Sequence, residues 1–209
     1  MMKIIEKHAL VLRIVHWLNA PLLMLMIWSG IMIYWANDIY PGFFPEVVYR
    51  ILGASSSLAR GLAIHFFVAW FFTVNGAVYL GWIFFSGHWR ELFPTVDSFR
   101  LAYPTLLHDL GLRNEAPPRG PKFNSLQRIT YSGVVILGIL GVLSGLAIYK
   151  PVQLNWLTSL FGGYEGARLL HFLVMICFCL FVVVHLVQVA RAGWNNFRSM
   201  VAGFEVKTD

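Results

Sequence analysis

Residues Leu169–Ala190 read LLHFLVMICFCLFVVVHLVQVA, 22 residues without one Asp, Glu, Lys or Arg, bounded by Arg168 and Arg191. A helix of that length rises about 33 Å at about 1.5 Å per residue, enough to cross a hydrocarbon layer about 30 Å thick. Two histidines, His171 and His185, lie inside it, 14 residues apart. Fourteen steps of about 100° leave them within about 40° of each other on one face, about 21 Å apart along the axis. An ionisable group in hydrocarbon is costly and marks function. This one helix therefore offers two imidazoles at two depths.

Three further charge-free windows of similar length, Ile14–Ala36, Leu62–Phe85 and Ile129–Tyr149, complete a set of four. The whole chain of 209 residues agrees with them: 58% of its residues are hydrophobic and only 12% charged, against about a quarter charged in a soluble domain, and its mean hydropathy is +0.66. Too little polar surface remains for a soluble globule, a disordered chain or a nucleic-acid binder. The sequence predicts an all-α integral membrane protein, one domain over residues 1–209, built as a bundle of four transmembrane helices. The first span is too long for a cleaved signal peptide and is read as retained. Cys177 and Cys179 sit two apart within the fourth span, on different sides of a helix, so neither a mutual disulfide nor a zinc site is expected. The absence of Cys-x-x-Cys-His excludes covalently attached haem. No internal repeat stands out.

Twelve of the sixteen Lys and Arg residues fall on one side of this topology. Lys3, Lys7 and Arg13 are in the N-tail, Arg90, Arg100, Arg113, Arg119, Lys122 and Arg128 in the second connection, and Arg191, Arg198 and Lys207 in the C-tail. The other two connections hold only Arg50, Arg60, Lys150 and Arg168. The positive-inside bias then places both termini and the middle connection, with its irregular Glu115–Pro121 stretch, in the cytoplasm, with the chain a multi-pass membrane protein. The net charge of +6 is thereby explained by topology.

Two more histidines lie in the spans, His16 in the first and His65 in the second. In the predicted topology His65 and His171 lie near the periplasmic side, and His16 and His185 near the cytoplasmic side. One four-histidine metal cluster is excluded, because ligands must converge to about 2.1 Å from one ion. Two planar macrocycles, each clamped between imidazoles of two helices, fit the spacing. Gly30 lies 14 residues beyond His16 and Gly76 lies 11 beyond His65, each on its ligand's face and opposite the other haem. Gly138, Gly141 and Gly145 align on the third span, where close helix packing and cofactor contact are equally good explanations. Arg13 and Arg168 each stand three residues before a histidine, placed either to pair with haem propionates or to reach the headgroups. His8, His88 and His108 lie outside the spans and read as solvated or interfacial.

These residues resemble the bacterial di-haem b-type cytochromes, which include cytochrome b-561 and the cytochrome subunits of nickel-iron hydrogenases, formate dehydrogenases and thiosulfate reductases. The resemblance rests on Arg13-x-x-His16-Trp17, on His65 opening the second span, on Lys122-Phe123-Asn124-x-x-Gln127-Arg128 before the third, and on Arg168-x-x-His171 with His185 in the fourth. Gly87-His88-Trp89-Arg90, Lys150-Pro151-Val152-Gln153-Leu154, Phe161-Gly162-Gly163-Tyr164-Glu165 and Ala192-Gly193-Trp194-Asn195-Asn196-Phe197 resemble the small thiosulfate-reductase-type members, which accompany molybdopterin proteins. The resemblance implies a protein of the bacterial inner membrane with two haem b groups, one held by His65 and His171 on the periplasmic side and one by His16 and His185 on the cytoplasmic side. It also implies a quinone against the cytoplasmic haem near Asn124, in a pocket formed with Gln127, Arg128 and His185. Leu126 departs from the small residue that several members carry. Without the resemblance, Asn124 is a helix N-cap.

Two imidazoles fill both axial positions of an iron, so such a haem carries electrons and activates no ligand. The implied function is electron transfer between the quinone pool, ubiquinone or menaquinone, and a periplasmic redox partner of molybdopterin type. Tyr40–Leu52 and Leu154–Tyr164 would be interfacial helices, part of which could receive that partner. Two alternatives stand beside this reading: a self-sufficient superoxide:quinone oxidoreductase, and a haem-free anchor or transporter using its histidines as a proton relay. The absence of any Asp or Glu within the spans argues against the last.

Overall fold

The computed structural model describes residues 2–35, 46–51, 58–115, 117–118 and 123–208. Most of the first connection, Lys122 and most of the Glu115–Pro121 stretch lie outside the described residues. In chain order the elements are β1 (Met2–Glu6), α1 (Leu10–Trp35), α2 (Glu46–Ile51), α3 (Leu58–Phe85), α4 (Trp89–Leu92), α5 (Val96–Asp109), α6 (Ser125–Tyr149), α7 (Asn155–Leu160), α8 (Gly163–Ala202) and β2 (Phe204–Thr208). Four of them, α1, α3, α6 and α8, are long and apolar enough to cross a membrane. Their outer faces carry bare aromatic and aliphatic side chains, with Trp70 67% and Phe85 95% exposed, as lipid contact demands and water does not permit.

The helices extend past the charge-free windows at most ends. The windows mark the stretch that must lie in hydrocarbon, whereas the backbone hydrogen-bond ladder continues through Arg13, Arg60, Arg128 and Arg168 into the polar layer. At the far end α8 runs beyond Arg191 and contains a break: Gly193, with φ of 77°, lies in the left-handed region that favours glycine. The chain turns there into a last helical segment and then into β2.

The contacts group the chain into two units, Met1–Tyr79 with Val184–Asp209, and Leu80–Val183. In the first, the two tails pair as an antiparallel ribbon, with Met2 opposite Thr208 and Glu6 opposite Phe204. Lys7 clamps this ribbon, reaching Glu205 at 3.1 Å and Asn196 Oδ1 at 2.9 Å. The amide of Asn195 donates to the Val206 carbonyl and accepts from the Val206 N–H, so one side chain acts as a third strand beside β2. Trp17 donates its indole N–H to the Met200 carbonyl and packs edge-on against Phe197. Deeper, the buried Asn75 of α3 donates to the Val15 carbonyl of α1 at 3.1 Å, a polar tie between helices of the kind that replaces hydrophobic attraction in lipid. The two tails thus lie together at one end of this unit.

In the second unit α5 opens with a reciprocal capping box between Thr95 and Ser98 and packs along α6. The carbonyls that α4 leaves open at its C-terminus are closed by α6: Arg128 donates to those of Arg90 and Phe93, and Ser132 to that of Leu92. At the other end of α6, Leu157 and Thr158 of α7 are buried, Leu157 with Ala147 and Ala167, and Thr158 donates to the Ala147 carbonyl. Trp156 and Leu160 on the opposite face of α7 are exposed, the arrangement expected of a short interfacial helix.

Candidate functional site

The four span histidines are half-buried side chains on helices whose neighbours leave them room. In the first unit His16 of α1 and His185 of α8 face each other with ring centroids 6.0 Å apart and ring planes 54° apart. The buried Nδ1 of His16 and the buried Nε of Arg13, one helical turn earlier, have no hydrogen-bond partner among the described residues. A buried polar atom left so is unusual. Arg13 lies against Gly203, the left-handed residue that accepts the Lys7 N–H at the start of the tail ribbon. The ribbon therefore backs the cytoplasmic histidine pair of the predicted topology.

His65, also in the first unit, lies at a different level. A Cβ on Gly30 would stand 3.6 Å from its Cε1, and Gly30 is 14 residues, about 21 Å, along α1 from His16. Gly30 thus lies beside His65, well along α1 from His16. His65 Nδ1 is 2.9 Å from the hydroxyl of Ser29, which is fully buried. Around Gly76 nothing lies within 4 Å of the position a Cβ would take.

The second unit repeats this arrangement on different helices. His171 Nδ1 of α8 is 3.0 Å from the hydroxyl of Ser144 of α6, again fully buried. A Cβ on Gly145 would stand 3.2 Å from His171 Cε1, and one on Gly141 would stand 3.5 Å from Val174. The sequence analysis left these glycines open between packing and cofactor contact, and here Gly141 packs on α8 while Gly145 cradles the imidazole; Gly138 is open. Ser29 and Ser144 were missed, and so was the signal that could have found them. Leu25-x-x-x-Ser29-Gly30-x-x-Ile33-Tyr34 recurs as Leu140-x-x-x-Ser144-Gly145-x-x-Ile148-Tyr149, and His65-Phe66-x-Val68 recurs as His171-Phe172-x-Val174. The chain therefore does contain an internal repeat, written in a few positions of alternate helices.

The remaining site candidates are committed to local structure. Asn124 caps α6, accepting the Gln127 N–H on Oδ1 at 2.8 Å, while Gln127 Oε1 accepts the Asn124 N–H at 3.0 Å. This is the reciprocal capping box. Arg128 is held by the carbonyls of Arg90 and Phe93 and borders an open cleft of about 180 Å³ lined also by Ser98, Leu101, Phe123 and Ser125. Arg168 pairs with Glu165 at 3.2 Å and lies over the Tyr164 ring, an exposed pair of small energetic weight. His88, expected to be solvated or interfacial, is buried between Trp82 and Phe123 and reaches Glu91 at 3.0 Å. Aromatic neighbours close over it.

The family model for prokaryotic cytochrome b561 matches residues 7–203. The chain is also similar to the "Putative protein-methionine-sulfoxide reductase subunit YedZ1" of Azospira oryzae, at 38% identity over 181 residues, covering 86% of this chain and 87% of that protein. The family match, over residues 7–203, includes all four spans and every span histidine. The chain belongs to the prokaryotic cytochrome b561 family, membrane cytochromes of b type that serve in electron transfer.

Proposed function

We propose that this chain is the di-haem membrane subunit of an oxidoreductase, passing electrons between a membrane quinone and a periplasmic partner subunit. His16 and His185 hold the cytoplasmic haem b, and His65 and His171 hold the periplasmic one. The observation that carries this reading is the facing of His16 and His185 at 6.0 Å. Imidazoles of two helices facing each other at that separation, one with a buried nitrogen left without a partner among the described residues, would hold a metal between them, neutral imidazole being a common metal ligand. Arg13, with its buried Nε open, is placed to meet a propionate there. For the second pair, the support is that Ser29 and Ser144 each occupy Nδ1 and thereby leave Nε2 as the coordinating atom.

Haem, when bound, supplies a one-electron couple. The chain's own residues would supply two imidazoles to each haem iron, which serves electron transfer and not oxygen activation, and helices that keep water away. Asn124, Gln127, Arg128 and His185 remain the proposed quinone-side residues, by family resemblance, and ubiquinone or menaquinone the exchangeable substrate. The relative's name attaches that protein to a reductase of methionine sulfoxide in proteins. A partner with that activity, of molybdopterin type, is the one proposed for this chain, with electrons entering from quinol at the cytoplasmic side, where both termini lie.

Haem content per protein in four single histidine variants tests the ligand assignment. His16→Ala and His185→Ala should lose the same haem, and His65→Ala and His171→Ala the other, as assigned by redox titration of the survivor. A common loss in His16→Ala and His65→Ala would refute the pairing.

A further inference from the structure

Each of the two imidazoles seated on a Ser-Gly pair meets a hydroxyl whose own proton is already committed. Ser29 Oγ lies 2.6 Å from the Leu25 carbonyl, four residues back in α1, and 2.9 Å from His65 Nδ1. Ser144 Oγ lies 2.6 Å from the Leu140 carbonyl and 3.0 Å from His171 Nδ1. A serine hydroxyl has one proton to donate and two lone pairs to accept with. With the short bond to the helix carbonyl taking the proton, the oxygen can only accept from the histidine, so the proton of each neutral ring is on Nδ1 and the lone pair is on Nε2.

We infer that Ser29 and Ser144 are positioning residues that fix the Nδ1–H form and the ring orientation of His65 and His171 and set the electron-donating strength of these imidazoles toward iron. The inference rests on the ligand assignment proposed above. An acceptor on the second nitrogen raises the basicity of a ligating imidazole, and a stronger donor favours the ferric over the ferrous state. Glycine next to each serine completes the device, since Gly30 and Gly145 let the ring lie against the helix backbone. His16 Nδ1, by contrast, has no such acceptor among the described residues.

The test is spectroelectrochemical titration of purified, haem-loaded Ser29→Ala and Ser144→Ala proteins. Both variants should keep two low-spin haems, and in both the midpoint of the same one should move upward. Its ferric/ferrous equilibrium should change several-fold, a tenfold change being about 59 mV for one electron. Ser29→Thr, which keeps the hydroxyl, should restore the native midpoint. If an alanine variant does not assemble, Ser29→Cys against Ser29→Thr makes the same comparison, the thiol being a weak acceptor; equal midpoints there would overturn the inference. Unchanged midpoints in both fully loaded alanine variants would overturn it too, leaving the serines as helix-internal bonds. A His65→Ala protein that still holds two low-spin haems would instead refute the ligand assignment, and shifts in different haems would refute only the shared iron.

Discussion

Gly145 and Gly30 occupy matching places in the repeat but differ in clearance, and the difference predicts opposite outcomes for the same substitution. A Cβ on Gly30 would stand 3.6 Å from the His65 ring, which is ordinary contact, whereas one on Gly145 would stand 3.2 Å from the His171 ring. Carbon atoms pack best at about 3.5–4.0 Å, so in Gly145→Ala something must yield by a few tenths of an ångström. The ring cannot retreat freely, because Ser144 holds its Nδ1 from the preceding residue. A ligand position is defined to about 0.2 Å at a metal, so the displacement is as large as the tolerance of the site. Gly145→Ala should therefore weaken occupancy of the periplasmic haem or change its low-spin spectrum, at an overpacking cost of about 1–3 kcal/mol. Gly30→Ala should keep both haems, and the lost freedom of the unfolded chain should raise stability by about 0.4–1 kcal/mol. Haem stoichiometry, low-temperature absorbance and thermal loss of haem in the two variants measure this. Full, unperturbed haem binding in Gly145→Ala, or haem loss in Gly30→Ala, would refute the claim that clearance at the imidazole decides the outcome.

Asn124→Asp keeps the carbonyl-type acceptor of the cap and removes the amide donor, so it should fold like the native protein and slow reduction by quinol if Asn124 contacts the quinone; native quinol kinetics would leave Asn124 as a cap alone. Asn124→Ala loses both roles, and should also cost about 1 kcal/mol of helix stability with a lower yield of folded protein. Reporters fused after Asp209 and inserted within Glu115–Pro121 should both behave as cytoplasmic, and a periplasmic signal from either would invert the assignment of both haems.

What the sequence disclosed follows from which forces act over many residues. Span identity rests on about twenty consecutive side chains, so all four membrane helices were legible. Helix ends were not, since Arg13, Arg128 and Arg168 continue the helix where the apolar signal stops. The tail ribbon was invisible for the opposite reason. Met2–Glu6 and Phe204–Thr208 are five residues each, too short to signal a strand, and they pair because four crossings return the chain to the side where it began. Asn124-x-x-Gln127 was legible as a capping pattern, and the structure displays that cap.

The Ser-Gly device escaped notice because each of its residues has an ordinary explanation alone. A serine bonded to its own helix and a glycine in a membrane span are common; only their recurrence with the same leucine, isoleucine and tyrosine, each opposite a His-Phe-x-Val helix, distinguishes them. The recurrence also sets His65 and His171 apart from His16 and His185. His65 and His171 each lie on the same small-residue seat and receive the same hydroxyl, whereas His16 and His185 come from a single unit, closed by the tail ribbon with Arg13 beneath it. A chain whose two pairs were interchangeable would have no reason for this difference. Under the proposed assignment, two haems of unequal potential have a direct use for it, because axial-ligand hydrogen bonding and nearby charge are the means by which a protein sets a haem potential.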